Sequence, residues 1–255
     1  MHPETVLAVD IGNSRVHAGI VAVANMECQR QDACSLSDME SGFDRLIRSV
    51  CNGATYTRAV VGGVVERAVD AAIRKLGAGG FDVSRFTVDG ISSIDIHYAD
   101  RAVLGSDRCA NTLYVHHRFP GKRVVVVSAG SALVVDLVEN GAFFGGAILP
   151  GAAMQCRSLY SFTDALPDVA CVRNGAVHLP GTTTAQCIES GVLYGIAGAI
   201  EKIVDTYAGK QTSNEMVLCA TGGDWSRVAP LCKHRFLSLP DMTLVGTALF
   251  LRQPC

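Results

Sequence analysis

The sequence predicts an α/β protein built from two similar halves, each of which opens with a β-hairpin. Apolar stretches long enough for buried strands alternate along the chain with segments whose apolar residues recur at helical spacing. In addition, a shift of 118 positions lays Gly12 on Gly130, and an apolar strand precedes each of these glycine turns. We therefore predict a duplicated architecture, with a first domain over residues 1–119 and a second over residues 120–255.

The first half opens with a predicted hairpin and an amphipathic helix. The apolar strand Leu7–Val9 is followed by turn residues at Asp10–Ser14, and Val16–Val23 returns as the second strand. Apolar residues at helical spacing over 43–50 predict the first helix. Ser37, with an acidic residue three positions later, is typical of a capping box and predicts where this helix begins.

The remainder of the first half is predicted to add one strand and two helices. Ala59–Val61 is a short apolar strand, and a helix over 65–76 is ended by Gly77. A third helix over 106–114 begins at a serine that can cap it. Pro120-Gly121 then breaks the pattern, which places the domain boundary at this point.

The second half repeats this order of elements. Asn140-Gly141 is a strong signal for a hairpin turn between two strands. The predicted elements are the strand Val124–Val127, the turn Ser128–Ser131, the strands Ala132–Val138 and Phe143–Ile148, a helix from Thr184 to Ile203, the strand Val217–Ala220, the turn Thr221–Gly223 and a helix after it.

Composition excludes several classes of protein. With 255 residues, 49% of them hydrophobic, the chain can bury a substantial core. Its formal net charge of −2 gives no basic field that would attract nucleic acid or anionic lipid. No apolar run approaches the ~20 residues needed to cross a bilayer, and the first residues lack a signal-peptide pattern. We expect a soluble, cytoplasmic protein that binds neither nucleic acid nor membrane, with its ten scattered cysteines reduced.

Three glycine turns that follow apolar strands are candidate phosphate-binding sites, at Asp10–Ser14, Ser128–Ser131 and Thr221–Gly223. Glycine lets a backbone N–H approach a phosphate closely, and small hydroxyls add donors. A nucleotide between two such turns, with a carboxylate near a hydrated Mg²⁺, would form a phosphoryl-transfer site. Each turn alone is more typical of a hairpin or a strand exit. The sequence contains no P-loop, dinucleotide-binding fingerprint or hydrolase elbow.

The segment Leu104–Arg108, at a predicted helix start, is a candidate acid–base site. Asp107 lies in the first helical turn, where the helix dipole favours its ionised form, and a carboxylate there can accept a proton from a substrate hydroxyl. Arg108 offers a guanidinium fork for a carboxylate or a phosphate. The same residues would also serve as a helix-capping acid and a surface arginine, and the composition of the segment does not separate the two interpretations.

Three further segments have both structural and functional interpretations. Gly145–Gly151 is a strand that runs into a rigid turn, and the hydroxyls of Thr182–Thr184 can cap the helix that follows. Glycines at positions 191, 195 and 198 would let another helix approach closely, either within the chain or at a subunit interface.

Taken in order, these segments resemble the type III pantothenate kinases, a bacterial family of the acetate and sugar kinase, Hsp70 and actin superfamily. The resemblance spans nearly the whole chain, and Leu104-Gly-Ser-Asp-Arg108 is its most specific element. The other matching segments are Asp10-Ile-Gly-Asn-Ser14, Tyr98, Gly145-Gly-Ala-Ile-Leu-Pro-Gly151, Leu159 through Thr163 to Leu166-Pro167, Thr184 with Gly191, Thr221-Gly-Gly223, and Asp241-Met-Thr-Leu244 with Gly246.

The resemblance implies two ribonuclease-H-like (actin-like) domains with a nucleotide cleft between them, and a homodimer. It implies transfer of the ATP γ-phosphate to the primary hydroxyl of pantothenate, the first step of coenzyme A synthesis, with Asp107 as the proton acceptor. Mg²⁺, held indirectly by Asp10, and a monovalent cation, K⁺ or NH₄⁺, are the implied cofactors. The implied substrate-binding residues are Tyr98, Gly105, Ser106, Asp107, Arg108 and Thr184. The implied ATP-binding residues are Asp10, Ile11, Gly12, Asn13, Ser14, Gly130, Ser131, Thr221, Gly222 and Gly223.

Two positions depart from the family pattern. The family's second phosphate motif reads Asp-x-Gly-Thr, and its aspartate helps to bind the monovalent cation. Here Ser128 stands at that position, while Ser131 keeps the hydroxyl of the threonine. Because a formal charge is lost at Ser128, we expect weaker cation binding. Arg101 stands where the family usually has a proline, which would alter the substrate loop.

Two alternatives to a pantothenate kinase stay open at the level of sequence. The first is a non-catalytic accessory or regulatory member, the role in which relatives named Bvg accessory factors were first described. The second is a kinase for a related hydroxy acid, because pocket selectivity does not follow from these motifs.

Overall fold

The structure is a computed structural model that describes residues 5–170, 177–209 and 216–253. In these ranges the strands are β1 (Thr5–Ile11), β2 (Arg15–Ala22), β3 (Glu27–Ser35), β4 (Arg58–Gly63), β5 (Asp82–Arg85), β6 (Arg123–Ala129), β7 (Ala132–Glu139), β8 (Ala142–Pro150), β9 (Val217–Thr221) and β10 (Leu237–Ser238). The α-helices are α1 (Met39–Cys51), α2 (Glu66–Ala78), α3 (Ser106–Arg118), α4 (Ala152–Ser161), α5 (Thr184–Ala208), α6 (Trp225–Val228) and α7 (Met242–Leu249). Short 3₁₀ turns lie at Leu36–Asp38, Arg101–Val103, Ala229–Leu231 and Phe250–Arg252.

The described residues group into two compact units. The first unit contains the described part of Met1–Gly121, together with Asn140–Phe144 and the described part of Asp241–Cys255. The second contains the described parts of Lys122–Glu139 and Gly145–Pro240. This grouping differs from the predicted domains, 1–119 and 120–255, because two later segments return to the first unit. The last of them returns because α7 packs against α3 and β1.

The first unit is built on a five-stranded mixed sheet of order β3-β2-β1-β4-β5. β1 pairs antiparallel with β2, which confirms the predicted hairpin, and parallel with β4. Helices α1 and α2 contribute to the hydrophobic cluster on one face, which includes Val9, Phe43 and Val69. Because successive side chains of a strand point to opposite faces, the alternate residues of β1 are left to pack against α7.

The second sheet repeats the strand order and the strand directions of the first. Its order is β10-β9-β6-β7-β8, with β6 and β7 antiparallel and β9 parallel to β6. Asn140 and Gly141, between β7 and β8, have φ values of 52° and 82°, as a tight hairpin turn requires. Val127 of β6 clusters with Ile188 of α5 and Trp225 of α6. The predicted duplicated α/β architecture is confirmed.

Edge strands β3 and β5 are not among the predicted elements. Most residues of β3 are exposed or half-buried and polar, so its sequence lacks the apolar run by which buried strands are found. β5 has only four residues, of which one is apolar. Both strands form because they extend an apolar sheet that already exists.

Predictions at three helix ends are wrong. Ser37 and Glu40 form no capping box, because the N-cap of α1 is one residue further on and makes no side-chain hydrogen bond. Helix α2 continues through Gly77 and ends one residue later. Ser106 is the first residue of α3, and Gly105 occupies the N-cap position.

The cysteines and the helices bear on two expectations drawn from composition. Seven described cysteines are not in disulfides, whereas Cys156 is disulfide-bonded, so the prediction of reduced cysteines is wrong at that position. In the part of the chain that the structure describes, no helix combines the length and the apolar character needed to cross a membrane.

We predict that Gly246→Ala destabilises the first unit, because α7 approaches α3 too closely for a side chain. A Cβ on Gly246 would lie 1.9 Å from the carbonyl oxygen of Ala110. Forcing the two helices apart should lower the free energy of unfolding by about 3 kcal/mol. Thermal unfolding followed by circular dichroism measures this loss.

Gly77→Ala is the matched control for this substitution. Gly77 lies within α2, and a Cβ there would meet no described atom within 4 Å. Alanine is favoured over glycine in a helix interior by about 1 kcal/mol, so this variant should be as stable as the parent protein or more so. Equal midpoints for Gly246→Ala and the parent protein would show that the α3–α7 contact is not tight.

Candidate active site

The first candidate phosphate turn follows β1 directly. Asp10 still belongs to the strand, so the turn itself begins at Gly12. The N–H of Gly12 donates to the carbonyl of Arg15 at 2.9 Å, which closes the turn. Asn13 and Ser14 are exposed at its tip. Their amide and hydroxyl groups can donate hydrogen bonds to a phosphate oxygen.

A glycine of the neighbouring parallel strand packs against the end of β1, and the same contact recurs in the second unit. A Cβ on Gly63 would lie 2.5 Å from the carbonyl oxygen of Ile11, and a Cβ on Gly222 would lie 2.2 Å from that of Ala129. Ile11 and Ala129 are related by the same shift of 118 positions. Each carbonyl also accepts a backbone N–H from one or two residues after the glycine, at 2.9 and 3.1 Å. The duplication therefore extends to the turns that carry the candidate site.

Asp107 occupies the second position of α3, within its first turn. Its Oδ1 accepts the backbone N–H of Arg108 at 2.9 Å. Burial raises the pKa of the Asp107 carboxyl, while the N–H and the charge of Arg108 oppose that rise. A carboxylate with a raised pKa is a stronger base than one with the ordinary pKa of an exposed carboxylate.

Asp10 and Asp107 lie close enough in the first unit to influence each other. Burial raises the pKa of Asp10 to about 7, and the negative charge of Asp107 adds to the rise. Two desolvated carboxylates side by side are stabilised when they share a proton or a cation. The structure thus brings the predicted metal-binding residue and the predicted proton acceptor together.

The donor set of this pair fits a hydrated Mg²⁺ ion. Mg²⁺ usually keeps several waters and is bound by one or two carboxylates plus substrate phosphates, rather than by an all-protein cage. No group of three or more His, Cys, Asp or Glu able to hold a metal occurs within residues 5–170, 177–209 and 216–253. Asp10, with Asp107 near it, would supply the one or two carboxylates that such an ion takes.

Arg108 is buried against two adjacent aromatic rings. The residue is 6% exposed, and its Cζ lies 5.5 Å from the ring centre of Tyr98 and 5.2 Å from that of Phe143. The predicted substrate residues Tyr98 and Arg108 are therefore neighbours in space. Burial also excludes the interpretation of Arg108 as a surface arginine.

Gly105 and Ser106 lie where the substrate loop enters α3. A Cβ on Gly105 would lie 2.6 Å from Oδ1 of Asp107, so only glycine leaves that carboxylate oxygen uncovered. Ser106 Oγ is buried and has no hydrogen-bond partner among the described residues. Because buried hydroxyls are rarely left without a partner, this one suits a ligand.

In the second unit, the turn after β6 lies beside the turn after β9. Ser128 and Thr221 are paired in the register of these two parallel strands. The hydroxyl of Thr221 donates to the carbonyl of Pro240 at 3.3 Å, so it is used within the protein. Next to it, a Cβ on Gly223 would meet no described atom within 4 Å, which leaves space at this turn.

Gly130 and Ser131 complete the turn after β6. The N–H of Gly130 donates to the carbonyl of Ala132 at 3.0 Å, and the carbonyl of Ser131 accepts the N–H of Gly151 at 3.1 Å. The segment 145–151 therefore ends against this turn. Ser131 itself is exposed.

Thr184 lies in a different part of the second unit. It is the first residue of α5, preceded by Thr183, whose Oγ1 accepts the N–H of Gln186 at 3.2 Å. Thr184 lines a groove of 470 Å³ between α4 and α5, and none of the glycine-turn residues lines it. The other residues of the groove are Gln155, Ser158, Leu159, Leu166, Cys187, Ile188, Gly191 and Val192.

Two residues next to the site are absent from the sequence-based predictions. Asp224 follows Gly223 directly, and burial raises its pKa against the opposing charge of Arg227. Its position after a glycine turn is a signal that could have identified it. Phe143 gives no such signal, because it is 35 residues from Arg108 and reaches it only in the folded chain.

Solved structures with a similar fold include kinases. A Baf family transcriptional activator from Campylobacter jejuni has a TM-score of 0.60 and 19% identity, over 96% of this chain and 97% of that one. A ROK family glucokinase from Streptomyces griseus, in complex with glucose and AMPPNP, has a TM-score of 0.51 and 12% identity, over 96% and 98% of the two chains. These similarities concern the fold, and they agree with duplicated ribonuclease-H-like domains.

The relatives found by sequence identify the family more narrowly than the solved structures do. A type III pantothenate kinase from Alkalilimnicola ehrlichii is 31% identical over 254 residues, which cover 97% of this chain and 98% of the relative. One from Legionella pneumophila (strain Paris) is 27% identical over 253 residues, or 96% and 97% of the two chains. The family model described as "Type III pantothenate kinase" matches residues 6–206. This chain therefore belongs to the type III pantothenate kinase family.

Proposed function

We propose that this chain transfers the γ-phosphate of ATP to the primary hydroxyl of pantothenate and forms 4'-phosphopantothenate, the first step of coenzyme A synthesis. The observation that carries the proposal is the placement of Asp107 at the start of α3, with Asp10 near it and with Arg108 next in sequence. A proton acceptor, a cation-holding carboxylate and an anion-binding guanidinium are the groups that phosphoryl transfer to an alcohol requires.

In the proposed reaction Asp107 accepts the proton of the pantothenate hydroxyl. The hydroxyl oxygen then forms a bond to the γ-phosphorus, the bond from that phosphorus to the bridging oxygen breaks, and ADP leaves with the bonding electrons. The raised pKa of Asp107 suits it to take up this proton. When bound, Mg²⁺ would supply positive charge that offsets the charge of the phosphates, and Asp10 would hold it indirectly.

The three glycine turns would bind the nucleotide. Gly12 to Ser14 present an exposed amide and an exposed hydroxyl that suit the phosphates, and exposed Ser131 suits them as well. The space beside Gly223 suits the adenosine part, as the family pattern implies. We assign the Thr184 groove to the pantothenate side of the reaction, on the resemblance to the family alone.

We also propose that the chain is a homodimer that works in the cytoplasm, where ATP is available. The exposed face of α5 supports pairing between copies. Cβ atoms on Gly191, Gly195 and Gly198 would meet no described atom within 4 Å beyond the adjacent backbone of α5 itself, and Tyr194 on the same face is 40% exposed. Small residues around an aromatic ring suit the close packing of a second helix, and aromatic residues are enriched in interfaces.

We predict that the purified protein phosphorylates pantothenate with MgATP, and that Asp107→Asn loses turnover by roughly 10²- to 10⁴-fold because the general base is removed. A coupled ADP-release assay measures both rates. Asp44→Asn, at an exposed ion pair with Lys75, is the control and should keep the parental rate.

Each alternative has its own result in this assay. Absence of turnover, together with no heat of binding for ATP or pantothenate in calorimetry, would identify a non-catalytic member. Faster turnover of another hydroxy acid in a substrate panel would identify a kinase of different specificity. Near-parental turnover by Asp107→Asn would contradict the role of Asp107.

We predict that Asp10 makes the free protein less stable as pH rises. Its pKa is about 7 in the folded chain against an ordinary 3.8, so between these values the unfolded chain releases a proton that the folded chain keeps. Stability is therefore lost progressively across this window, and the loss is complete above about pH 7. Asp10→Asn should raise the thermal midpoint at about pH 8 and leave it nearly unchanged at about pH 4. A lower midpoint for the variant at the higher pH would refute this account of Asp10.

We predict that Ser128→Asp increases the dependence of activity on K⁺. A carboxylate is a stronger ligand for a hard cation than a hydroxyl, so the variant should show a several-fold larger rise in kcat/KM than the parent when Na⁺ is replaced by K⁺. Ser128→Asn, which adds similar volume without charge, is the matched control. The same K⁺ stimulation in the parent and in Ser128→Asp would show that the serine does not weaken the cation site.

A further inference from the structure

Phe143 is a buried aromatic residue at the start of β8 that touches two residues of the candidate substrate site. The residue is 1% exposed, and its ring centre lies 5.2 Å from Cζ of Arg108 and 6.0 Å from the ring centre of Tyr98. A strand residue does not need to face a guanidinium, and neither does a residue that only fills a core.

We propose that Phe143 is a positioning residue. Its ring and the adjacent ring of Tyr98 form a pair, here called the aromatic clamp, against which the guanidinium of Arg108 is held for binding pantothenate. The proposal rests on the proposed function, because it assigns the clamped guanidinium to the substrate of that reaction. Phe143 acts through Arg108 and is not itself placed in contact with the reacting atoms.

The clamp has a physical basis in the charge of the guanidinium. Arg108 is 6% exposed, so its charge has lost most of its contact with water. The faces of the two rings carry negative potential and attract the cation, and such attraction is stronger when the pair is desolvated. An arginine side chain also has many rotamers, and two rings that restrict it reduce the entropy lost when a ligand binds.

The backbone around Phe143 ties the two rings to the same support. The N–H of Phe143 donates to the carbonyl of Asp95 at 2.8 Å, and the carbonyl of Phe143 accepts the N–H of His97 at 2.9 Å. Tyr98 follows His97 directly in the chain. The pairing that sets the position of one ring therefore also limits the position of the other.

The hairpin turn before β8 fixes where this pairing begins. Asn140 and Gly141 both have positive φ values, which makes the turn a tight one. Phe143 lies two residues after the turn, in the segment that the structure groups with the first unit. A short turn of defined geometry thus places the ring of Phe143 against Arg108, although the two residues are far apart in the sequence.

The experiment replaces Phe143 with phenylalanines that carry one, two or three ring fluorines, introduced by genetic code expansion. Fluorine withdraws electron density from the ring face and leaves its size nearly unchanged, so it weakens attraction to a cation without opening a cavity. We expect KM for pantothenate to rise stepwise to about tenfold, with kcat and KM for ATP within about twofold of the parent. A residue that only fills space would show no such series.

Phe119 provides the matched control. Its ring lies 5.4 Å from Cζ of Arg118, an exposed residue at the end of α3. Fluorination of Phe119 weakens a contact of the same kind away from the candidate site, so KM for pantothenate should not change. Phe143→Leu, which keeps an apolar side chain but removes the ring, should raise KM at least as much as the trifluorinated residue.

The outcomes separate this proposal from the proposed function. If the parent protein fails to phosphorylate pantothenate, the proposed function is wrong and the clamp has no substrate. If the parent is active and KM is the same throughout the Phe143 series, the clamp is wrong while the function stands. If the Phe119 series raises KM equally, the effect is not specific to Arg108, and the proposal is overturned.

Discussion

The proximity of two half-buried carboxylates, Asp10 and Asp107, is the constraint on which the first unit depends. Each is desolvated, and their mutual repulsion helps to raise the pKa of Asp10 to about 7. A fold tolerates such a pair only when the surrounding backbone holds it in place, and here β1 and the first turn of α3 do so. The repulsion that disfavours the pair in the free protein would favour a bound cation, because both carboxylates attract positive charge.

The two sheets share one close backbone contact, although the residues around it differ. In each, a carbonyl at the end of the first strand is approached by a glycine from the parallel neighbour, at Ile11 and Gly63 in one and at Ala129 and Gly222 in the other. A larger side chain at either glycine would separate the strands where the turn must form. The side chain just before that carbonyl is free to differ, so the first copy has Asp10 where the second has Ser128. The two halves thus share the close packing of a glycine against a carbonyl, and they differ in the functional groups next to it.

Much of this architecture could be predicted from the sequence, because apolar runs and glycine turns are local signals. The hairpins, the order of the elements along the chain and Asp107 at a helix start all follow from neighbours in the chain. The polar edge strand β3 could not be found this way, since its pairing depends on a sheet formed by other residues. Phe143 could not be identified from the sequence for a similar reason. Its contact with Arg108 spans 35 residues and exists only after β8 has paired. The burial of Arg108 excluded its interpretation as a surface arginine. Burial is also a property of the folded chain, so the sequence could not show it.

The packing of α7 against α3 and β1 has a consequence for how the protein is made. This helix is encoded after the whole of the second unit, yet it covers a face of the first sheet. During synthesis, that face of the first unit stays uncovered until α7 has left the ribosome, after every segment of the second unit. The second unit, whose segments lie between, is able to fold earlier, so the order of completion is the reverse of the order of translation.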